Sequence, residues 1–316
     1  MPKNLSLFSA LLLLLASTPS ALATTATAMV INDGRLTELS GLAASFAHPG
    51  FYWGHNDSGN RAELILIQPQ RQTTTVVATT ALGARDWEDI ASFSDASGNY
   101  VLVADTGDNF ALRPMVDLYL LAESGSASTP RLQQQRHYSV VFDGGPRDIE
   151  ALAVDPRERM AYLLSKREIH PRLYRFSLDV LPGAPIIAQD LGRVTSLPSR
   201  QRHRPQPNGG ISQHSPTGMD FASDGSGAAV STLRESYYFP RKNGQSWLET
   251  LNGEPQPLTA PRLRQAEAIA FSTHGEEILL GSEGRPSKLV RFTDFMPSAP
   301  QAMAAGAANK GGPPLQ

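Results

Sequence analysis

Glutamates recur at the start of short apolar runs in this chain, and each is answered a fixed distance later by a second charged side chain. Glu88 is followed by Asp105, Glu150 by Lys166 and Glu267 by Glu283. Two further stretches keep the rhythm with glycine in first place, Gly41 with Asp57 and Gly218 with Arg234. The step is 16 residues in four of the pairs and 17 from Glu88 to Asp105. Side chains held at one register of a repeated unit converge on a common axis. Converging carboxylates repel unless a cation or a proton compensates. Oxygen donors without His or Cys favour a hard ion, calcium or magnesium, over zinc or copper. The expected centre is a calcium ion held by some of Glu88, Glu150 and Glu267, with Asp57 or Asp105 nearby and Glu283 in the outer ring. Gly41 and Gly218 are expected to leave room there for water or substrate.

Lys166 and Arg234 stand where the other units carry acids. They could bind a phosphate or carboxylate beside the metal, or simply pair with Glu150 or Asp105. Arg167, Arg85 and Arg113 could add to either role. His55, two residues before Asp57, is a candidate acid/base near neutral pH, or else a turn histidine. The expected catalytic set is Glu150, Asp57, His55, Lys166 and Arg234. The plainer alternative is that all these polar groups cap hairpin ends.

The elements that must position them are strands. Short runs rich in Val, Ile, Leu, Tyr and Phe, separated by Gly, Pro, Asn and Asp, fill residues 28–292, and long amphipathic helix patterns are absent. The class is all-β. Five units align. Each opens on a polar residue before an apolar run, turns through a hairpin signal such as Asp95-Ala96-Ser97-Gly98-Asn99 or Asp155-Pro156, and returns to a charged end. A third strand follows every unit and a fourth follows units one to four. Four antiparallel strands repeated around an axis form a β-propeller. Five blades are expected, with six left open, and residues 28–35 are expected to complete the last blade and close the ring.

Residues 1–23 combine a basic start, a short apolar run and Ala21-Leu22-Ala23, the pattern of a secretory signal peptide. The expected domains are a signal peptide over 1–23, a propeller over 24–296 and a disordered Ala/Gly/Pro tail over 297–316. Location is expected to be secreted or periplasmic, with no stable membrane insertion after cleavage. There are no cysteines, which removes disulfides and thiolate metal sites. A net charge of −2 gives no sign of nucleic-acid binding. Residues 198–216 hold Arg200, Arg202, His203 and Arg204 among prolines, either a solvated insertion or a basic gate. No nucleophile elbow, zinc-protease helix or P-loop pattern occurs.

The repeated Glu-Ala-apolar-Ala opening, with an acid at the end of the next strand, resembles the phytase-like propellers and the gluconolactonase group. The five units, and Glu38-Leu39-Ser40-Gly41-Leu42 followed by Asn56-Asp57-Ser58-Gly59, also resemble the calcium-activated apyrases. That likeness implies an exported calcium-centred propeller. It departs at Gly41, where the apyrase pattern carries Glu, and at the basic Lys166 and Arg234. Two functions follow as expectations. One is a calcium-dependent hydrolase of a small anionic substrate, most plausibly a phosphoester, or a lactone. The other is a non-catalytic propeller with a structural calcium that binds a protein or glycan. A monomer is expected.

Overall fold

A computed structural model describes residues 24–78, 82–181, 183–197, 213–261 and 263–295. The expected signal peptide, the C-terminal tail and most of the basic segment lie outside the described residues. What is described is all-β, with twenty strands, one 3-10 turn and one short helix.

Strands β2 (Leu39–Ala44), β3 (Tyr52–Asn56), β4 (Glu63–Gln68) and β5 (Thr73–Ala78) form one antiparallel sheet in chain order. Strands β14 (Pro216–Phe221), β15 (Gly227–Thr232), β16 (Ser236–Pro240) and β17 (Gln256–Pro257) form another. The last three strands are β18 (Ala266–Phe271), β19 (Ile278–Ser282) and β20 (Ser287–Thr293). Their sheet is completed by β1 (Thr25–Ile31), which pairs antiparallel with β20 from Thr25↔Thr293 to Ile31↔Ser287.

The second and third units depart from expectation. Strands β6 (Trp87–Asp95), β7 (Gly98–Asp105), β8 (Val116–Ser126) and β9 (Thr129–Phe142) do not stand apart from β10 (Ile149–Asp155), β11 (Met160–Ser165), β12 (Arg172–Ser177) and β13 (Ile186–Arg193). They join it in one eight-stranded sheet, because β13 pairs parallel with the end of β9 over Ile186↔Val140 to Ala188↔Phe142. The contact uses the last three residues of β9, at the end away from the β8–β9 turn. The pairing also covers an edge that would otherwise invite another chain.

The first strand of each unit packs on the first strand of the next: β2 on β6, β6 on β10, β10 on β14, β14 on β18, and β18 back on β2. Such close approach needs small side chains, and these strands supply Ala43, Ala91, Ala151, Ala153, Ala268 and Ala270, all buried. The apolar core is correspondingly divided into five clusters, each drawn from two successive units, the fifth joining the last unit to the first. Each face of every sheet is therefore buried against a neighbour, which is why the strands read as near-continuous apolar runs.

Inner strands have one edge without a ladder partner, so their N–H groups need other acceptors. Asp89 supplies two. Its Oδ2 accepts from Leu152 N at 2.9 Å and Met219 N at 3.2 Å, tying β6 to both β10 and β14. Asp220 does the same between β14 and β18, accepting from Phe271 N at 2.8 Å. Burial pushes the Asp220 carboxyl up to about 7. The helix α1 (Trp247–Leu251) begins at a capping box of Ser246 and Glu249. It buries Trp247 face to face on Phe221 and donates the indole N–H to Asp155 at 2.9 Å.

Candidate functional site

Each inner hairpin carries a bulge at the same place. The pairing skips one residue between Leu39 and Gly41, Trp87 and Asp89, Ile149 and Ala151, Pro216 and Gly218, and Ala266 and Ala268. The skipped residues are Ser40, Glu88, Glu150, Thr217 and Glu267. A bulge re-aims the side chain at its extra residue, so these five form the inner ring. Gly41 and Gly218 sit one residue further along. Nor do they leave room. A Cβ at Gly41 would fall 2.3 Å from His55 Nε2, and one at Gly218 would fall 2.9 Å from Glu267 O and Ser231 Oγ. Ser40 and Thr217 spend their hydroxyls on the next unit, donating to Glu88 O at 3.1 Å and Ala266 O at 2.8 Å.

Seven carboxylates meet at this mouth in three overlapping groups. One oxygen each from Glu88, Asp148 and Glu150 lies within 4.8 Å of the others; the same holds for Asp57, Asp86 and Glu88, and for Asp57, Glu267 and Glu283. The first group is fully buried and the last is half-buried. Of the expected ligands, Glu88 and Glu150 come together on one side, and Glu267 and Glu283 on the other. Asp57 joins the halves. Asp105 points elsewhere. It accepts from Arg85 N at 3.0 Å, from Asp86 N at 3.1 Å and from the buried Arg113 guanidinium at 2.9 Å. It pairs with Trp87, as Asn56 pairs with Leu39, so the extra residue in unit two had shifted it out of register.

Asp86 and Asp148 were not anticipated. Both stand two residues before a ring glutamate, in Asp86-Trp87-Glu88 and Asp148-Ile149-Glu150, while Gln265 takes that place before Glu267. That acid-x-acid doublet at an inner-strand start was the available signal. Gly107 closes the floor beneath them. A Cβ there would lie 2.1 Å from Glu88 Oε1 and 2.4 Å from Asp86 Cγ.

The charges are compensated in part. Lys166 Nζ lies 2.5 Å from Glu150 Oε2, with both side chains buried, and Arg167 bonds Asp148. Burial works against the Lys166 ammonium, but Glu150 and Glu88 outweigh it and raise its pKa. Burial pushes Glu88 well above the usual carboxylate range, and Glu150 adds to it. Burial likewise brings Glu150 up to about 7, despite Lys166. Glu267 also reaches about 7, through burial and then the charge of Glu283, and Glu283 itself is raised chiefly by burial. Asp86 is raised by burial and by Asp57. Too many negative charges share too little water: Glu150 and Glu267 are brought to about 7, and their neighbours Glu88 and Glu283 are raised with them. A cation would displace the protons held there.

The remaining candidates lie apart. His55 is wholly buried, edge-on to Trp87, with Nδ1 3.0 Å from Asn56 O. Burial lowers its pKa to about 4, which keeps it neutral through the physiological range. Arg234 is exposed in the loop between β15 and β16 and donates to Gln213 at 2.6 Å. It lines a cleft of about 760 Å³ beside the mouth, shared with Arg264, Tyr237 and Leu258.

No protein-family model matches the chain, and no curated protein matches it. Among solved structures it is similar to a structural-genomics protein of unknown function from Bacteroides thetaiotaomicron VPI-5482. The identity is 13%, covering 86% of this chain and 76% of that one, with a TM-score of 0.46. At that distance the likeness identifies neither a fold family nor an activity.

Proposed function

We propose that the chain is an exported five-bladed β-propeller whose mouth binds a hard divalent cation, calcium being the ion expected. The circuit of five inner strands, with the core divided between successive units, supports the propeller reading. The observation that carries the cation is the donor set: seven carboxylates and no His or Cys, with Glu150 and Glu267 pushed up to about 7 by burial and crowding. Asp57, Glu267 and Glu283 would hold the ion on the open side, with Asp86 and Glu88 grouped on the other side of Asp57. Lys166 already serves as the counter-ion of the buried side. A bound cation would supply charge neutralisation and a Lewis-acid centre.

The binding reading is favoured over catalysis because Lys166 is committed to Glu150, His55 is buried and Arg234 is exposed outside the carboxylate cluster. A hydrolase draws support from one observation. Glu267, brought to about 7, and Glu283, raised beside it, form a half-buried carboxyl pair beside the cleft that Arg234 and Arg264 line. The deciding experiment is calorimetric titration of the stripped protein with calcium and magnesium, followed by assays on phosphoesters, nucleotides and lactones. Micromolar calcium affinity without turnover supports the cation-binding propeller. Calcium-dependent turnover lost in Glu267→Gln supports the hydrolase. No heat with either ion sinks both.

A further inference from the structure

The cleft beside the mouth lies between the fourth and fifth units. There β17 is only two residues long, pairing Pro257 with Tyr237 and Gln256 with Tyr238. Leu258 N then donates to Ser236 O at 2.8 Å, and no strand lies among the described residues between that point and β18. The space left, about 760 Å³, is the size of a pocket for a small organic ligand. It shares a wall with the open carboxylate group. Gln265 lines the cleft and donates its Nε2 to Glu267 Oε1 at 3.1 Å. Ala266 adjoins Glu267 on β18, and Leu280 lies on β19, which leads to Glu283.

The floor of the cleft is apolar, made by the buried Leu258, Ala266 and Leu280. One polar group interrupts it. Side chains alternate along a strand. On β16, Tyr238 packs with Leu258, Ala266 and Leu280 on the side of unit five, and Ser236, two residues nearer the mouth, shares that face. Ser236 is 3% exposed, and its Oγ has no hydrogen-bond partner among the described residues. Buried hydroxyls are ordinarily paired. This one lines the cleft, next in line to Arg234 and Glu235, with its bonding capacity unspent.

Three charged side chains line the cleft among the described residues: Arg234, Glu235 and Arg264. Glu235 is engaged. Its Oε2 accepts from Tyr237 OH at 2.6 Å and lies 3.3 Å from His214 Nδ1. Arg234 spends one nitrogen on Gln213 and is otherwise exposed. Arg264, also exposed, works against the burial and the acids Asp57 and Glu38 that raise the Glu283 carboxyl. The uncommitted groups of the cleft are therefore donors, and the acids that oppose an anion stand on its mouth side. A cation on Asp57, Glu267 and Glu283 would cancel that repulsion and leave the two arginines unopposed. We propose that the cleft binds a small organic anion beside the cation. Its acid head, a carboxylate or a phosphate-type group, accepts from Ser236 Oγ and the arginines, and its apolar body lies on Leu258, Ala266 and Leu280. Arginine forks suit either head. The proposal rests on the cation reading and names the ligand class of that same site.

The measurement is titration calorimetry of the full chain with 1-naphthylmethylphosphonate and 1-naphthaleneacetate, in calcium and in EGTA. Methylphosphonate and acetate are the controls without a body, and 1-naphthalenemethanol is the control without a charge. In calcium at least one naphthyl acid should bind about tenfold or more tighter than its small analogue and than the alcohol, and the better of the two names the head group. EGTA, Ser236→Ala and Arg264→Ala should each weaken that binding about tenfold, the loss expected for a hydrogen bond to a charged group. Ser236→Ala removes an unpaired hydroxyl, so its melting temperature should not fall, and its lost affinity reports a ligand contact. Calcium heat without binding of either acid would overturn the cleft and leave the cation reading standing. No calcium heat would sink the cation reading, and this proposal with it. Equal affinity in EGTA, equal affinity for the alcohol, or binding that neither variant weakens would overturn the proposal as well.

Discussion

The Lys166 ammonium sits 2.5 Å from Glu150 Oε2, and the pair is buried beside two further carboxylates, Glu88 and Asp148. It is a tethered cation on the inner side of an acidic mouth. Removing one partner of a buried pair leaves an uncompensated group and costs about 3–5 kcal/mol. Lys166→Met should therefore lower the unfolding free energy by that order in EGTA. Calcium should recover part of the loss, since a divalent ion can take the ammonium's place. Denaturant titration in EGTA and in calcium reads both, and a variant as stable as wild type in EGTA would refute the pairing.

The raised carboxyls give stability a pH dependence whose sign is fixed. Glu150 and Glu267 rise from 4.5 to about 7, and Asp220 from 3.8 to about 7. Between those values the folded protein keeps protons that the unfolded chain releases. The contribution of these carboxyls is then greatest at the acid end and falls as pH rises through about 7, outweighing His55, whose lowered pKa acts in the opposite sense above about 4. Saturating calcium should flatten the part due to Glu150 and Glu267 and leave the part due to Asp220, which lies away from the mouth. Melting curves across this window, with and without calcium, test it. A stability that climbs with pH in EGTA would contradict it.

Glu267→Gln and Glu283→Gln should each weaken calcium binding at least tenfold, because both oxygens belong to the open group with Asp57. Asp105→Asn should leave the affinity within a few-fold of wild type while lowering stability, since its carboxylate serves Arg113 and the backbone. Titration calorimetry on the three variants separates ligand from scaffold.

Gly107→Ala should disturb the mouth without replacing any carboxylate. Its Cβ would meet Glu88 Oε1 at 2.1 Å and Asp86 at 2.4 Å. Overpacking of this kind costs about 1–3 kcal/mol. Gly34→Ala, with nothing within 4 Å, is the matched control. Equal melting temperatures and equal calcium affinities for the two variants would remove Gly107 from the site.

Asp89→Ala should be among the most damaging single changes. It strands the N–H groups of Leu152 and Met219 in a buried centre, at about 1–3 kcal/mol for each unmet donor. Urea titration should show a large drop in midpoint, with Asp89→Asn milder because the amide oxygen still accepts.

The strands and their spacing were legible because both sheet faces are buried, which writes apolar runs and hairpin turns directly into the chain. The ring glutamates Glu88, Glu150 and Glu267 were legible for the same reason: repetition marks them. The register was not. A bulge adds one residue that no apolar pattern reports, so Gly41 and Gly218 were aligned in place of Ser40 and Thr217, and Asp105 in place of the residue after it. Asp148 escaped because an acid just before a strand looks like a turn residue until Arg167 and Glu150 are seen around it. The burial of His55 was hidden too, since its neighbours Asn56 and Asp57 are polar and only the fold sets Trp87 and Gly41 against it.

The pairing of β1 with β20 also governs assembly. Thr25 meets Thr293, so the sheet that holds Glu267 and Glu283 is finished by a strand from the far end of the sequence. That closure is the longest-range step in the fold and is expected to be the slow one. Until it happens β20 presents a bare edge, and the two outermost carboxylates stand on an unfinished sheet. The mouth therefore acquires its full complement of charge only when the two ends of the chain have met.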